Sequence, residues 1–128
     1  MERYVTWTPI PDLPEWFASA SVNYNEDTLV VVLHCAPPDH RDLALTFGRA
    51  PAFRSIAEEC RLDQYRRPAA ASQGEGPLWT VVESAWLASF SEGDLVHYPR
   101  LVHYLIESGD QCIDVLADEE PVARWTKR

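Results

Sequence analysis

The feature of this sequence that most constrains its fold is a period of two in the alternation of apolar and polar residues. Residues 17–24 place apolar side chains at every second position, namely Ala18, Ala20, Val22 and Tyr24. Successive side chains of a β-strand point to opposite faces, so this pattern predicts a strand with one buried face. The chain is therefore expected to be built mainly on β-strands.

Two more strands follow the first at short intervals. Residues 28–35 are apolar on both faces, which is typical of a central strand. The turn-forming residues 37–40 interrupt the apolar run, and residues 43–47 then alternate again. Three strands joined by short turns predict an antiparallel meander.

The second half of the chain continues in the same way. Residues 78–82 and 101–106 have the composition of strands. Residues 112–117 follow a turn at residues 108–110 and are expected to pair with the preceding strand as a hairpin. Residues 122–125 are expected to add a last edge strand.

A short helix is predicted after the strand at residues 78–82. Ser84 belongs to the residue types that cap helix N-termini. Trp86, Leu87 and Phe90 would share the buried side of a helix that ends near Gly93.

The pattern of residues 53–62 is compatible with either a helix or a strand. Phe53, Ile56 and Cys60 follow helical spacing, whereas the flanking pattern also suits a strand with a bulge. Taken together, residues 1–128 are expected to form a single α+β domain. Its antiparallel sheet would have about six strands, with one or two short helices packed on it.

Composition excludes several classes of function. The chain has 20 acidic against 11 basic residues and a net charge of −9, a poor match to nucleic acids or anionic membranes. Its longest strongly apolar stretch has five residues, and no secretory signal pattern opens it. Three widely separated cysteines with apolar neighbours, Cys35, Cys60 and Cys112, indicate buried, reduced thiols. A cytoplasmic protein is expected.

No motif for catalysis or for metal binding is present. The four histidines lack helical zinc-site spacing, and neither a Cys-x-x-Cys nor a Gly-x-Ser-x-Gly occurs. Cys112 could approach His103 across the final hairpin, but an apolar setting would keep its thiol inert. We therefore predict no catalytic residue, no metal and no cofactor, and we do not expect an enzyme.

The acidic residues are concentrated in two places. Glu58 and Glu59 belong to the first cluster, and the second lies in the final hairpin. Asp114 interrupts an otherwise apolar strand, so it is either a buried carboxylate with partners or the inner edge of a contact surface. These clusters are either a solubilising surface or one half of an electrostatic match to a basic partner.

Several segments resemble a family of small bacterial immunity-like proteins, which are associated with polymorphic-toxin and contact-dependent competition loci. Residues 77–87 and the strands at 101–106 and 112–117 carry most of this resemblance. Residues 6–10 resemble the same family, so the likeness covers most of the chain. The loop at residues 68–77 departs from the family pattern.

The resemblance implies a cytoplasmic immunity protein that binds and neutralises a cognate toxin without catalysis, as a monomer or small homo-oligomer. Toxins that attack nucleic acids carry basic clefts, so a toxin with a basic surface is the expected partner. The expected toxin-binding residues are Asp110, Asp114, Asp118, Glu119, Glu120, Glu58 and Glu59. The alternative is a small enzyme or ligand-binding domain with a pocket at the sheet–helix junction.

Overall fold

The computed structural model describes residues 2–57, 72–73 and 76–127. These residues form ten β-strands in two sheets and one helix of four residues. The first five strands are β1 (Arg3–Thr6), β2 (Phe17–Asn25), β3 (Thr28–Cys35), β4 (Arg41–Phe47) and β5 (Ala52–Ala57). They are followed by β6 (Ser72–Gln73), β7 (Leu78–Val82), helix α1 (Ala85–Ala88), β8 (Val102–Glu107), β9 (Gln111–Ala117) and β10 (Val122–Lys127).

The strands divide between a six-stranded sheet, in the order β5-β9-β8-β7-β1-β6, and a four-stranded sheet, in the order β10-β4-β3-β2. Neighbouring strands are antiparallel, apart from the parallel pair of β1 with the two-residue β6. The predicted meander is confirmed as β2-β3-β4. The hairpin predicted around residues 108–110 is confirmed as β8-β9.

The predicted α+β class with one sheet of about six strands is wrong. The described part of the chain is nearly all β, and its strands build two sheets instead of one. The physical reason is that a period of two identifies a strand but not its neighbours. β10 pairs with β4, and β1 pairs with β7, across long stretches of chain that no local pattern connects.

The core lies between the two sheets, because each sheet turns one apolar face towards the other. Leu33 and Leu45 of the four-stranded sheet and Ile106 and Val115 of the six-stranded sheet belong to one buried cluster. Aromatic rings join the two sheets within it. The Tyr104 ring lies 4.8 Å from that of Trp7 and 5.3 Å from that of Phe47, measured between centroids.

Helix α1 is shorter than the sequence predicts. Ser84 caps its N-terminus as expected, since the Ser84 Oγ accepts a hydrogen bond of 3.0 Å from the Leu87 amide. The helix nevertheless ends at Ala88, so Phe90 lies beyond it. Residues 91–94 form a turn, in which the Asp94 amide donates to Ser91. The helix therefore does not extend to Gly93.

The turn of the β8-β9 hairpin fastens the six-stranded sheet to the edge strand β2 of the other sheet. The Gly109 amide donates to the Phe17 carbonyl oxygen at 2.8 Å, and the Ala20 amide donates to the Asp110 carboxylate at 3.2 Å. A Cβ at Gly109 would lie only 2.7 Å from the Ala18 carbonyl oxygen, so this close approach requires glycine.

The part of residues 53–62 that the structure describes belongs to strand β5, and residues 58–62 lie outside the described residues. Cys35 and Cys112 are buried thiols, as predicted, and Cys60 lies outside the described residues. Among the helices that can be described, none has the length and apolar character needed to cross a membrane.

Candidate functional site

A chain of hydrogen-bonded polar side chains lies on the outer face of the six-stranded sheet, away from the main core. The Ser84 Oγ lies 2.6 Å from the His103 Nδ1, and the His103 Nε2 lies 2.7 Å from the Asp114 Oδ1. The second oxygen of Asp114 accepts a hydrogen bond of 3.0 Å from the Arg54 Nε. We call these four residues the polar chain.

Strand register explains why three members of the polar chain meet. Arg54 on β5 is paired with Asp114 on β9, so both side chains point to the same face of the sheet. Asp114 is also paired with Leu105 on β8, and His103 lies two residues before Leu105 on that same face. Diagonal neighbours of this kind lie within reach of a long side chain. Ser84 joins them from the connection between β7 and α1.

The direction of each hydrogen bond follows from the donors available. Asp114, paired with the Arg54 guanidinium, is a carboxylate and therefore only accepts. A singly protonated His103 ring that donates from Nε2–H to this carboxylate leaves Nδ1 as an acceptor for the Ser84 hydroxyl. Ser84 also accepts from the Leu87 amide. Both ring nitrogens of His103 therefore have partners.

Three members of the polar chain, Ser84, His103 and Asp114, are shielded from water. His103 is 4% exposed and Asp114 is 1% exposed. The Trp86 ring on α1 packs edge-on against the His103 ring at 5.2 Å between centroids, and the Arg54 guanidinium lies 4.4 Å from the Trp86 ring centroid. Trp86 of helix α1 thus covers these groups. Low solvent access strengthens the hydrogen bonds and the ion pair between them.

A cavity of about 620 Å³ opens beside the polar chain, between α1 and strands β7 and β8. Ser84 and His103 form part of its wall, and most of the remaining wall is apolar. Val82, Leu87 and Leu101 are among these apolar residues. The volume of the cavity falls within the range of small-molecule sites, although the cavity is open to solvent and not enclosed.

Three of the acids predicted to bind a toxin have internal partners. Asp114 is the buried member of the polar chain, which is one of the two alternatives that its position in an apolar strand left open. Asp110 accepts from the Ala20 amide and from the Ser108 hydroxyl within the hairpin turn. The Asp118 carboxylate accepts from the Arg100 amide at 2.6 Å and pairs with Arg49 at 3.2 Å.

The partners of Asp118 lower its pKa, chiefly through the hydrogen bond from the Arg100 amide and to a smaller extent through Arg49. Its charge is therefore kept at any pH near neutrality. Glu119 and Glu120, which follow it, are exposed. Glu58 and Glu59 of the other predicted cluster lie outside the described residues.

The loop between β9 and β10 forms one side of a groove of about 370 Å³. We call it the acidic groove, and it is lined by Trp7, Thr80, Val102, Tyr104, Ala117, Asp118, Glu119 and Glu120. Burial raises the pKa of the Tyr104 hydroxyl, and the negative charge of Glu120 adds to this effect. The groove thus places two exposed carboxylates beside aromatic rings.

The acidic groove and the polar chain lie on opposite faces of β8, because side chains alternate along a strand. Tyr104 faces the groove and the core, whereas His103 faces the cavity under α1. The Cys112–His103 contact considered from the sequence does not form, since Cys112 is paired with Glu107 and His103 with Leu116.

Sequence reasoning missed the polar chain, although it contained one signal for it. A carboxylate at a buried strand position requires partners, and Asp114 was recognised as an interruption of an apolar strand. Nothing local indicated that Arg54 and Ser84 would join it. Within the described residues, no group of three or more His, Cys, Asp or Glu side chains converges as a metal site would. Comparison with protein-family models, with curated proteins and with solved structures finds no match to this chain.

Proposed function

We propose that this protein is an immunity protein that neutralises a cognate bacterial toxin by binding it. The observation that carries the proposal is the acidic groove, where Glu119 and Glu120 are exposed beside the rings of Trp7 and Tyr104. Neutralisation by occupation of the toxin's surface requires no chemical step from this protein.

The groove has the chemistry that recognises a basic side chain. A carboxylate binds a guanidinium through charge-assisted hydrogen bonds, and an aromatic face attracts the same cation. Glu119 and Glu120 supply the charged partners, and the partly buried ring of Trp7 supplies the aromatic surface. An arginine or lysine from a basic toxin cleft is therefore the group that we propose enters the groove.

The net charge supports the same partner class. At −9, the whole molecule attracts a basic protein over a distance of about one Debye length, roughly 8 Å at physiological ionic strength. Such attraction raises the association rate more than the final affinity. Buried thiols at Cys35 and Cys112 suit a reducing compartment, so we place the proposed function in the cytoplasm.

The test reverses the charge of the two exposed glutamates of the groove and keeps the hydrogen bonds of Asp118. Asp118 is left unchanged, because it holds Arg49 and the Arg100 amide. The toxin domain encoded by the neighbouring open reading frame serves as the binding partner. The Glu119→Lys/Glu120→Lys double variant should associate with it about tenfold or more slowly than the unchanged protein at low salt, with a weaker salt dependence.

The matched control is a Glu15→Lys/Glu92→Lys double variant, which makes the same change in net charge at two exposed acids outside the groove. It should slow association much less, because the effect of steering depends on where the charge lies. Equal association rates, affinities and protection of toxin-expressing cells for the groove variant and the unchanged protein would refute the proposal. A neighbouring reading frame that encodes a metabolic enzyme would also count against it.

A further inference from the structure

We propose that Ser84 is an activated nucleophile and that His103 is its general base, in a site that transfers or hydrolyses small uncharged acyl esters. This goes beyond toxin binding and does not depend on it, because no member of the polar chain lines the acidic groove, although Thr80 and Val102 border both the groove and the cavity. His103 and Ser84 are assigned as catalytic residues, and Asp114 and Arg54 as positioning residues.

The geometry meets two requirements for nucleophilic catalysis by a serine. The nucleophile must touch a base, and the base must be oriented by a third group. The Ser84 Oγ lies 2.6 Å from the His103 Nδ1, and the Asp114 carboxylate lies 2.7 Å from Nε2. Both distances fall in the range in which a proton is transferred along an existing hydrogen bond.

Asp114 fixes the tautomer that the reaction needs. By accepting from Nε2–H, it leaves the His103 Nδ1 unprotonated and directed at the serine hydroxyl. The Arg54 guanidinium holds the other oxygen of Asp114 at 3.0 Å and thereby keeps the carboxylate in place. Trp86 packs against both His103 and Arg54 and keeps the ring from rotating.

Ser84 keeps the means to attack a substrate. A hydroxyl has one proton and two lone pairs. Its proton goes to His103 and one lone pair accepts the Leu87 amide, so the second lone pair remains for bond formation. Ser84 and His103 both line the cavity of about 620 Å³, which gives a substrate access to them.

The reaction balances with water as the only co-reactant. The Ser84 Oγ attacks the ester carbonyl carbon while its proton passes to the His103 Nδ1, and Asp114 stabilises the imidazolium that forms. The tetrahedral adduct collapses, the carbon–oxygen bond to the alcohol breaks, and His103 returns the proton to the departing alkoxide. Water then attacks the acyl–serine ester, with His103 accepting its proton and returning it to Ser84.

The cavity wall indicates the substrate class. Val82, Leu87, Leu101 and Val102 make most of it apolar, and among the described residues that line it Glu83 alone carries a carboxylate. An apolar wall favours an uncharged, short acyl chain over a charged group. We therefore assign carboxylic esters with short aliphatic acyl groups.

The test measures covalent labelling of the folded protein by an alkyl fluorophosphonate, which phosphonylates activated serines with loss of fluoride. Mass spectrometry of the intact protein and of its peptides should find one adduct per chain, located on Ser84. The labelling rate should fall as the pH is lowered through the range in which histidine is protonated, because an imidazolium cannot accept the proton. Hydrolysis of p-nitrophenyl butyrate should follow the same pH dependence.

Variants separate a chemical role from a structural one. Ser84→Ala should abolish the adduct, and Ser89→Ala, which removes an exposed hydroxyl one helical turn away, should leave it unchanged. His103→Gln should slow labelling by about 100-fold or more in protein that circular dichroism shows to be folded. No adduct on Ser84 in the folded, unchanged protein, or a labelling rate that is independent of pH, would overturn the proposal. Ser84→Ala should leave toxin binding intact, so the two proposals can fail separately.

Discussion

Phe47→Ala is expected to lower the free energy of unfolding by about 3–5 kcal/mol, the usual cost of removing a fully buried aromatic ring. Phe47 is 0% exposed, and its ring packs against those of Trp7 and Tyr104, at 6.2 Å and 5.3 Å between centroids. Because these rings belong to different sheets, the cavity left behind would loosen the contact between them. Urea unfolding followed by tryptophan fluorescence measures the loss.

The control for this prediction is Phe90→Ala, which removes the same ring from a half-buried position after α1. Its ring contacts Trp86 at 6.1 Å but is not part of either buried cluster. We expect it to cost less than about 1.5 kcal/mol. Equal losses for the two variants would show that the sheets do not pack through Phe47.

Asp114→Ala should cost about 3 kcal/mol of stability, because it removes one partner of a buried charge pair. The Nε2–H of His103 would lose its acceptor in a place that water does not reach, since His103 is 4% exposed. The side chain of Arg54 is 40% exposed, so its guanidinium can turn to solvent when Asp114 is removed. The loss of stability is therefore expected at the lower end of the range that is usual for breaking a buried ion pair. Chemical denaturation gives the value directly.

Asp114→Asn separates the two interactions of this carboxylate. The amide oxygen can still accept from His103, while the charge that attracts Arg54 is removed. We expect a loss of about 1–2 kcal/mol, smaller than that of the alanine variant. A loss in Asp114→Ala below about 0.5 kcal/mol would mean that the polar chain contributes nothing to holding β5, β8 and β9 together.

The sequence predicts strands where apolar residues alternate with polar ones, as in β2, and where they run almost without interruption, as in β3 and β8. Strands β2, β3 and β4 were recognised because local alternation and short turns specify both the strands and their neighbours. Strand β1 was missed, since its four residues, Arg3–Thr6, show little contrast between the two faces. The division into two sheets depends on pairings between distant segments, which a single sequence does not reveal.

The candidate site was predictable only in part, for a related physical reason. The acids of the final hairpin are identified by their placement near its turn and its end, but placement along the chain does not distinguish a carboxylate without internal partners from one that has them. Asp110 and Asp118 support turns and loops, whereas Glu119 and Glu120 are exposed. Asp110 and Asp118 differ from the two glutamates because backbone amides of distant residues donate to them. These amides reach their positions only when the sheets assemble.

The position of the hydrogen on the His103 ring is the most direct test of the two hydrogen bonds that join Ser84, His103 and Asp114. A long-range proton–nitrogen correlation spectrum of isotopically labelled protein reports which ring nitrogen carries the hydrogen. We expect the singly protonated ring to carry its hydrogen on Nε2, since Asp114 accepts there and the Ser84 hydroxyl donates to Nδ1. A ring protonated on Nδ1 alone would contradict this arrangement, because Nε2 and the Asp114 carboxylate would then both be acceptors and Ser84 would accept from the ring instead of donating to it.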